Sequence, residues 1–254
     1  MKSSKLYLST VDDSAGVLAK KYGLGLELAE FCTAWNLDDC FPETDRRIQE
    51  ESRGISRLTI HGPYNELYPC AIDRKARALA KERYLQTIEV AKRYDVRKIV
   101  FHGGFDPHLY FPIWFKEQSI LFFRDFVKEI PEDMTIYLEN VLEPEPGLLT
   151  EILQAVDDPR LFMCLDVGHA EAYSEHPALD WLRQAAPFIR HLHVHNNNGK
   201  VDSHSPLMEG IIPMEALFET IDTLCPQATV TLELPDAASS IAWMTEHHIL
   251  EEEL

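Results

Sequence analysis

Eight short runs rich in apolar or β-branched residues recur along this chain. They lie at 5–10 (KLYLST), 24–30 (LGLELAE), 57–61 (RLTIH), 97–102 (RKIVFH), 134–139 (MTIYLE), 161–166 (LFMCLD), 189–194 (IRHLHV) and 228–233 (ATVTLE). Each is bounded by polar or breaking residues, the signature of a strand. Between them apolar residues recur every three or four positions, as in Ala76, Ala80, Tyr84, Ile88 and Ala91, and again in Met214, Leu217, Ile221 and Leu224. That spacing gives a helix one apolar face. Segments 113–130 and 237–250 also read as helices, whereas the second and sixth helical segments are the least clearly periodic. Strands alternating with helices require a parallel sheet. Eight such units without a break in composition predict an α/β fold, a closed (β/α)8 TIM barrel, as one domain over residues 1–254. The alternative is an open doubly wound sheet. A nucleotide-binding version of it would carry a glycine-rich loop after the first strand, where this chain has Val11-Asp12-Asp13-Ser14. The terminal 251–254 (EEEL) reads as a frayed, solvated end.

Composition narrows the function classes. A hydrophobic fraction of 45% supports a packed core. The 42 acidic residues against 24 basic ones give a net charge of −18, which opposes a general grip on nucleic acid or on an anionic membrane. A local site can still carry the opposite sign. The five cysteines are scattered and form no Cys-x-x-Cys pair, so neither a disulfide framework nor a cysteine zinc site is expected. No apolar run approaches the roughly 18 residues of a membrane span. The start, MKSSKLYLSTVDD, meets acids too early for a signal peptide. A soluble chain in a reducing cytoplasm is the expectation. Walker, Gly-x-Gly-x-x-Gly and Gly-x-Ser-x-Gly motifs are missing from the sequence.

The ionisable residues fall in a pattern. His61, His102, Glu139, Asp166 and Glu233 end the third, fourth, fifth, sixth and eighth runs, and His193 lies near the end of the seventh. In a parallel barrel all strands point their C-terminal ends at one rim, so six metal-competent side chains would converge there. Any one alone is as readily a rim residue capped by water; six at consecutive strand ends mark a metal or catalytic site. His169 follows Asp166 by three residues, and Asp202 and His204 lie on the loop after the seventh run. Imidazole and carboxylate donors suit zinc, manganese or iron.

Six pieces, in this order and at strand ends, resemble the xylose isomerase-like TIM barrels. They are LTIHGPY (58–64), KIVFHGGF (98–105), YLEN (137–140), CLDVGHA (164–170), HLHVHNNNGKVDSHSPLMEG (191–210) and LELP (232–235). That superfamily holds sugar phosphate isomerases and epimerases together with endonuclease IV-type AP endonucleases. The resemblance implies one divalent ion, zinc or manganese, on Glu139, Asp166, His193 and Glu233. In the endonuclease branch Glu139 would bridge to a second ion on His61 and His102, and a third would sit on His169, Asp202 and His204. One to three ions per chain are therefore implied, and three would leave a pocket with four carboxylates locally positive.

For an isomerase or epimerase the resemblance implies a metal-stabilised enediolate, with Glu139 and Glu233 as the acid/base pair. His169, Glu27, His195 and Asn196 are the expected substrate contacts. The substrate would be a small polyol, a ketose or a sugar phosphate. Departures weaken the endonuclease alternative. Its glycine-rich stretch after the fifth strand is here Asn140-Val141-Leu142-Glu143-Pro144-Glu145-Pro146, its His-x-Asn-Asp is His193-Val194-His195-Asn196, and its Gly-Glu-Gly is Met208-Glu209-Gly210. DNA is accordingly a disfavoured partner, and no membrane is expected. A non-catalytic sugar-binding barrel is the third alternative. Phe105, His108, Tyr110, Phe111 and Trp114, with Trp35 and Asn36, read either as an apolar wall around a polyol or as loop packing. His176, His247 and His248 read as surface or helix-cap residues. His191 shares a strand face with His193 and is a candidate partner behind the mouth. No motif sets the oligomeric state.

Overall fold

The computed structural model describes residues 1–251 and closes eight parallel strands into a barrel in chain order. The strands are β1 (Leu6–Ser9), β2 (Gly25–Leu28), β3 (Leu58–His61), β4 (Lys98–His102), β5 (Thr135–Glu139), β6 (Leu161–Asp166), β7 (Ile189–Val194) and β8 (Thr229–Leu232). Each matches an expected run, trimmed by at most two residues at an end. The closed order rules out the open-sheet alternative. The helices among the described residues are α1 (Ala15–Tyr22), α2 (Ala34–Leu37), α3 (Phe41–Glu51), α4 (Arg74–Arg93), α5 (Pro112–Phe126), α6 (Gly147–Val156), α7 (Val167–Tyr173), α8 (Ala178–Ala185), α9 (Met214–Leu224) and α10 (Ala238–Glu246).

The two indistinct helical segments are broken in the structure. The second unit divides into α2 and α3, with Pro42 in the first turn of α3, and the sixth divides into α7 and α8, with Pro177 as the residue before α8. Proline has no N–H to donate and is accommodated at a helix start, so each proline begins a new helix. Two short amphipathic pieces dilute the periodicity of one long one.

Side chains alternate along the strands. Leu26, Leu28, Ile60, Ile99, Phe101, Leu138, Leu192, Val194, Val230 and Leu232 join the large core beneath the helices. The alternating positions Val100, Tyr137 and Cys164 form a separate small cluster inside the barrel. Tyr7 crosses that interior at Gly25, where a Cβ would lie 2.4 Å from the ring. One irregularity sets the phase of β7. Met163 pairs with Ile189 but Cys164 pairs with His191, so Arg190 is extra. This bulge puts His193 directly beside Asp166. On the other side of the sheet, His102 pairs with Glu139 in plain register.

No helix among the described residues is long and apolar enough to cross a membrane. Glu251 is tied down, its N–H donating to Met1 O at 2.9 Å and its carbonyl accepting from Ser3 N at 3.1 Å. The remaining expected frayed residues, 252–254, lie outside the described residues.

Asp12, 4% exposed, links the loop after β1 to the loop after β8. Its Oδ2 accepts from Ala237 N at 2.8 Å, and its Oδ1 accepts from Ser14 N and Ser14 Oγ, both at 2.7 Å. Asp12→Ala leaves a buried N–H unpaired and is expected to lower the unfolding free energy by about 1–3 kcal/mol. Urea denaturation beside Asp12→Asn checks this, and an unchanged midpoint for the alanine variant would contradict it.

Candidate active site

Glu139 ends β5 and is 1% exposed. Its Oε2 lies 3.1 Å from His61 Nε2 and 3.5 Å from His102 Nε2. Its Oε1 lies 3.2 Å from His193 Nδ1 and 3.5 Å from His169 Nδ1. His193 Nδ1 also approaches Glu233 Oε2 at 3.2 Å and Asp166 Oδ2 at 3.8 Å. Ligand atoms of Glu139, Asp166, His193 and Glu233 all lie within 4.8 Å of one another. A third focus is Asp202, whose Oδ2 lies 3.0 Å from His204 Nε2 and 3.2 Å from His169 Nε2. The nine side chains expected at the rim therefore do converge.

Three of the imidazoles have one nitrogen already engaged. Nδ1–H of His61 donates to Gly62 O at 2.9 Å, that of His169 to Asn140 O at 2.9 Å, and that of His204 to Glu233 O at 2.8 Å. In a neutral ring the other nitrogen, Nε2, is then a lone pair, and in all three it faces a carboxylate. Two acceptors face each other stably only with a cation between them, a proton or a metal ion. Both ring nitrogens of His193 are likewise buried beside carboxylates with no aligned hydrogen-bond partner. The donor set fits a divalent metal.

Protonation follows the same electrostatics. Burial alone would push His169 and His193 down. Asp166 and Asp202 lift His169 well above the usual imidazole range, while Cys164, Glu27 and Glu139 lift His193. Burial would raise Glu139, but His193 and His102 hold it well below the usual carboxylate range. His102 is pushed down to about 4, chiefly by burial. The site is built for several shared positive charges.

Not every expected substrate contact reaches the opening. A cavity of about 340 Å³ is lined by His61, His102, Glu139, His169, Asp202, His204 and Glu233, with Tyr64, Val141, Leu142 and Tyr173. His169 is thus on the wall. Glu27 is fully buried beneath the cluster, 2.8 Å from His193 Nε2. His195 is also fully buried, and its Nε2 lies 3.2 Å from Asp166 Oδ2 and 3.6 Å from Asp202 Oδ1. Its ring sits over Gly168, where a Cβ would fall 1.9 Å from His195 Cε1. Asn196 spends its amide on Leu207 O and Ile212 O and its carbonyl on Asn197 N and Ile212 N. It shapes the loop.

The loop aromatics, read as either a wall or loop packing, do not line the opening. Phe105 packs against Phe115, Phe111 is 80% exposed, and Trp114 donates to Cys70 O. Tyr64, stacked on His102 at 4.4 Å, and Tyr173, beside His169 at 6.2 Å, line the opening instead. Tyr64 follows His61 by three residues, a proximity the sequence offered as a signal.

The model for the family described as xylose isomerase-like TIM barrel matches residues 18–252. The curated protein MJ1311 of Methanocaldococcus jannaschii is 29% identical over 208 residues, 75% of this chain and 69% of that protein. A solved D-tagatose 3-epimerase-like protein superposes with a TM-score of 0.77 at 20% identity, covering 96% of this chain and 97% of its own. The TTHB071 protein from Thermus thermophilus, soaked with ZnCl2, gives 0.72 at 25% identity, covering 95% and 97%.

Glu143, on the acidic loop, is 2% exposed, and its Oε2 accepts from Val141 N at 2.6 Å while Oε1 has no partner. Burial pushes its carboxyl from 4.5 up to about 7. A carboxyl raised in the folded state contributes stability that is present below its unfolded value and is lost as pH rises through the folded one. Wild type should therefore lose up to about 3 kcal/mol between those two values, a loss that Glu143→Gln escapes. Urea unfolding of both proteins across that window measures the difference; parallel pH profiles would refute it.

Proposed function

This chain belongs to the xylose isomerase-like TIM barrel family, and from that premise we propose that it is a metal-dependent sugar or sugar-phosphate isomerase or epimerase, acting as a single domain of residues 1–254 in the cytoplasm. The observation that carries the reading is the four-residue group of Glu139, Asp166, His193 and Glu233, two of whose carboxylates also line the cavity. A divalent ion held there, zinc or manganese by its donors, supplies Lewis-acid polarisation of a substrate carbonyl. Glu139 and Glu233 approach the cavity from different strands, so one can remove the proton beside that carbonyl and the other can return one. His169 can hold a hydroxyl or phosphate oxygen from the wall. Tyr64, Tyr173, Val141 and Leu142 give the opening an apolar side, and about 340 Å³ suits a small polyol. The fold shared with the D-tagatose 3-epimerase-like protein is consistent with a small sugar.

One observation favours a second reading, hydrolysis of a phosphate ester. Glu139 turns its second oxygen to His61 and His102, and Asp202 stands between His169 and His204. These are two further donor sets, and several divalent ions close together suit phosphoryl transfer. The net charge of −18 opposes DNA as the ester.

Metal analysis of the purified protein, a ketose epimerisation panel and an abasic-DNA cleavage assay separate the readings. One tightly held ion per chain, with ketose turnover lost on chelation, is the expected result. Three ions with abasic-site cleavage would replace it by the second reading. Glu139→Gln should cut turnover at least about 100-fold while leaving the circular dichroism spectrum intact. Wild-type turnover in that variant would show that Glu139 is not part of the machinery.

A further inference from the structure

We propose that the site takes an unphosphorylated sugar, and that an acidic rim, with Asp236 at the start of α10, excludes the sugar phosphates. The proposal rests on the isomerase or epimerase reading above and narrows its substrate class. Seven loops lead from a strand end to the next α-helix, at 10–14, 29–33, 62–73, 103–111, 140–146, 195–213 and 233–237, while β6 runs straight into α7. Among the described residues these loops hold twelve Asp or Glu side chains against one basic side chain, Lys200. Lys200 is exposed and does not line the cavity, and among the described residues no other Lys or Arg lines it. The face through which a substrate enters is therefore strongly negative.

A barrel that binds phosphate frequently does so with the loops after its seventh and eighth strands and the N-terminus of a nearby helix. Here the chain's own side chains occupy those groups. Asp236 Oδ1 accepts from Ala238 N, the first residue of α10, at 3.1 Å. Asp12 Oδ2 accepts from Ala237 N, the residue before it, at 2.8 Å. In the loop after β7, Asn197 N donates to Asn196 Oδ1 at 2.9 Å and Gly199 N to Asn197 Oδ1 at 2.8 Å. Lys200 N and Val201 N both donate to Asn198 Oδ1, at 3.0 and 3.2 Å. A phosphate would have to displace these acceptors, and two of them are carboxylates of its own sign. The strand-end carboxylates and histidines face the reacting end of a sugar. Its far end meets Tyr64, Val141, Leu142 and Tyr173, an apolar surface that suits carbon-bound hydrogens and leaves a dianion unpaired.

The test measures kcat/KM of the full chain, loaded with manganese, for ketopentoses and ketohexoses and for the terminal phosphate ester of each. The free sugar is expected to exceed its ester at least about 10-fold. That ratio should fall as sodium chloride is raised, because exposed charges are screened, whereas a purely steric bar would not respond. Asp236→Asn keeps an acceptor for Ala238 N and removes the charge, and it should lower the ratio at least about 3-fold, chiefly through the KM of the ester. An ester preferred to its free sugar overturns the proposal, and so does a ratio that neither salt nor Asp236→Asn moves. If no ketose is turned over in either form, the isomerase or epimerase reading falls. Calorimetric titration with a non-reacting pair, ribitol and ribitol 5-phosphate, then decides the rim's role on its own. Tighter binding of ribitol upholds it; tighter binding of the phosphate, equal binding or no binding of either overturns it.

Discussion

Four imidazole nitrogens lie within 3.5 Å of the two oxygens of Glu139, a side chain with almost no access to water. An isolated buried carboxylate is strongly disfavoured, and so is an isolated buried imidazolium. Neither is isolated here. Each carboxylate at the mouth meets at least one histidine, and His61, His169 and His204 have each committed Nδ1 to a main-chain carbonyl. The rings cannot turn away without leaving a buried carbonyl unpaired. Their lone pairs stay aimed inward, and the assembly requires cations at defined points.

Strand register delivers this geometry. His102 and Glu139 are lateral neighbours on β4 and β5, and Asp166 and His193 are lateral neighbours on β6 and β7. The second pairing depends on the extra residue in β7, since a plain register would set Arg190 beside Cys164 and put β7 out of phase. Arg190 instead carries its guanidinium over Phe162. The inserted residue thus keeps His191 and His193 in phase with Cys164 and Asp166.

Much of this was legible in the sequence, for physical reasons. Strands buried on both faces stay apolar at every second position, so a His, Asp or Glu at a strand end stands out, and the shared direction of parallel strands turns that list into a cluster. What the sequence hid depends on reach and depth. Glu27 sits on a strand like the other acids, but its side chain points below the cluster and finds partners 164 and 204 positions away. His195 and Asn196 follow the candidate ligand His193, so proximity suggested substrate contact. The chain turns past the end of β7, so Asn196 is consumed inside the loop and His195 is buried against Asp166. Glu143 stands in an acidic, proline-rich stretch, and periodicity does not register a single residue folded back under its own loop.

The net charge of −18 and the local demand for cations act together. A negative surface raises the local concentration of divalent cations and repels polyanions. An ion arriving at the mouth would displace the protons that His61, His169 and His193 share with their carboxylate neighbours, so metal uptake and proton release would be one event. Main-chain carbonyls already hold the rings of His61, His169 and His204 in place. Protons shared between the histidines and carboxylates can offset the cost of assembling like charges, so that an ion would meet a site already formed. A barrel that held a metal in this way could vary its rim loops, and with them its substrate, without disturbing the strand-end residues.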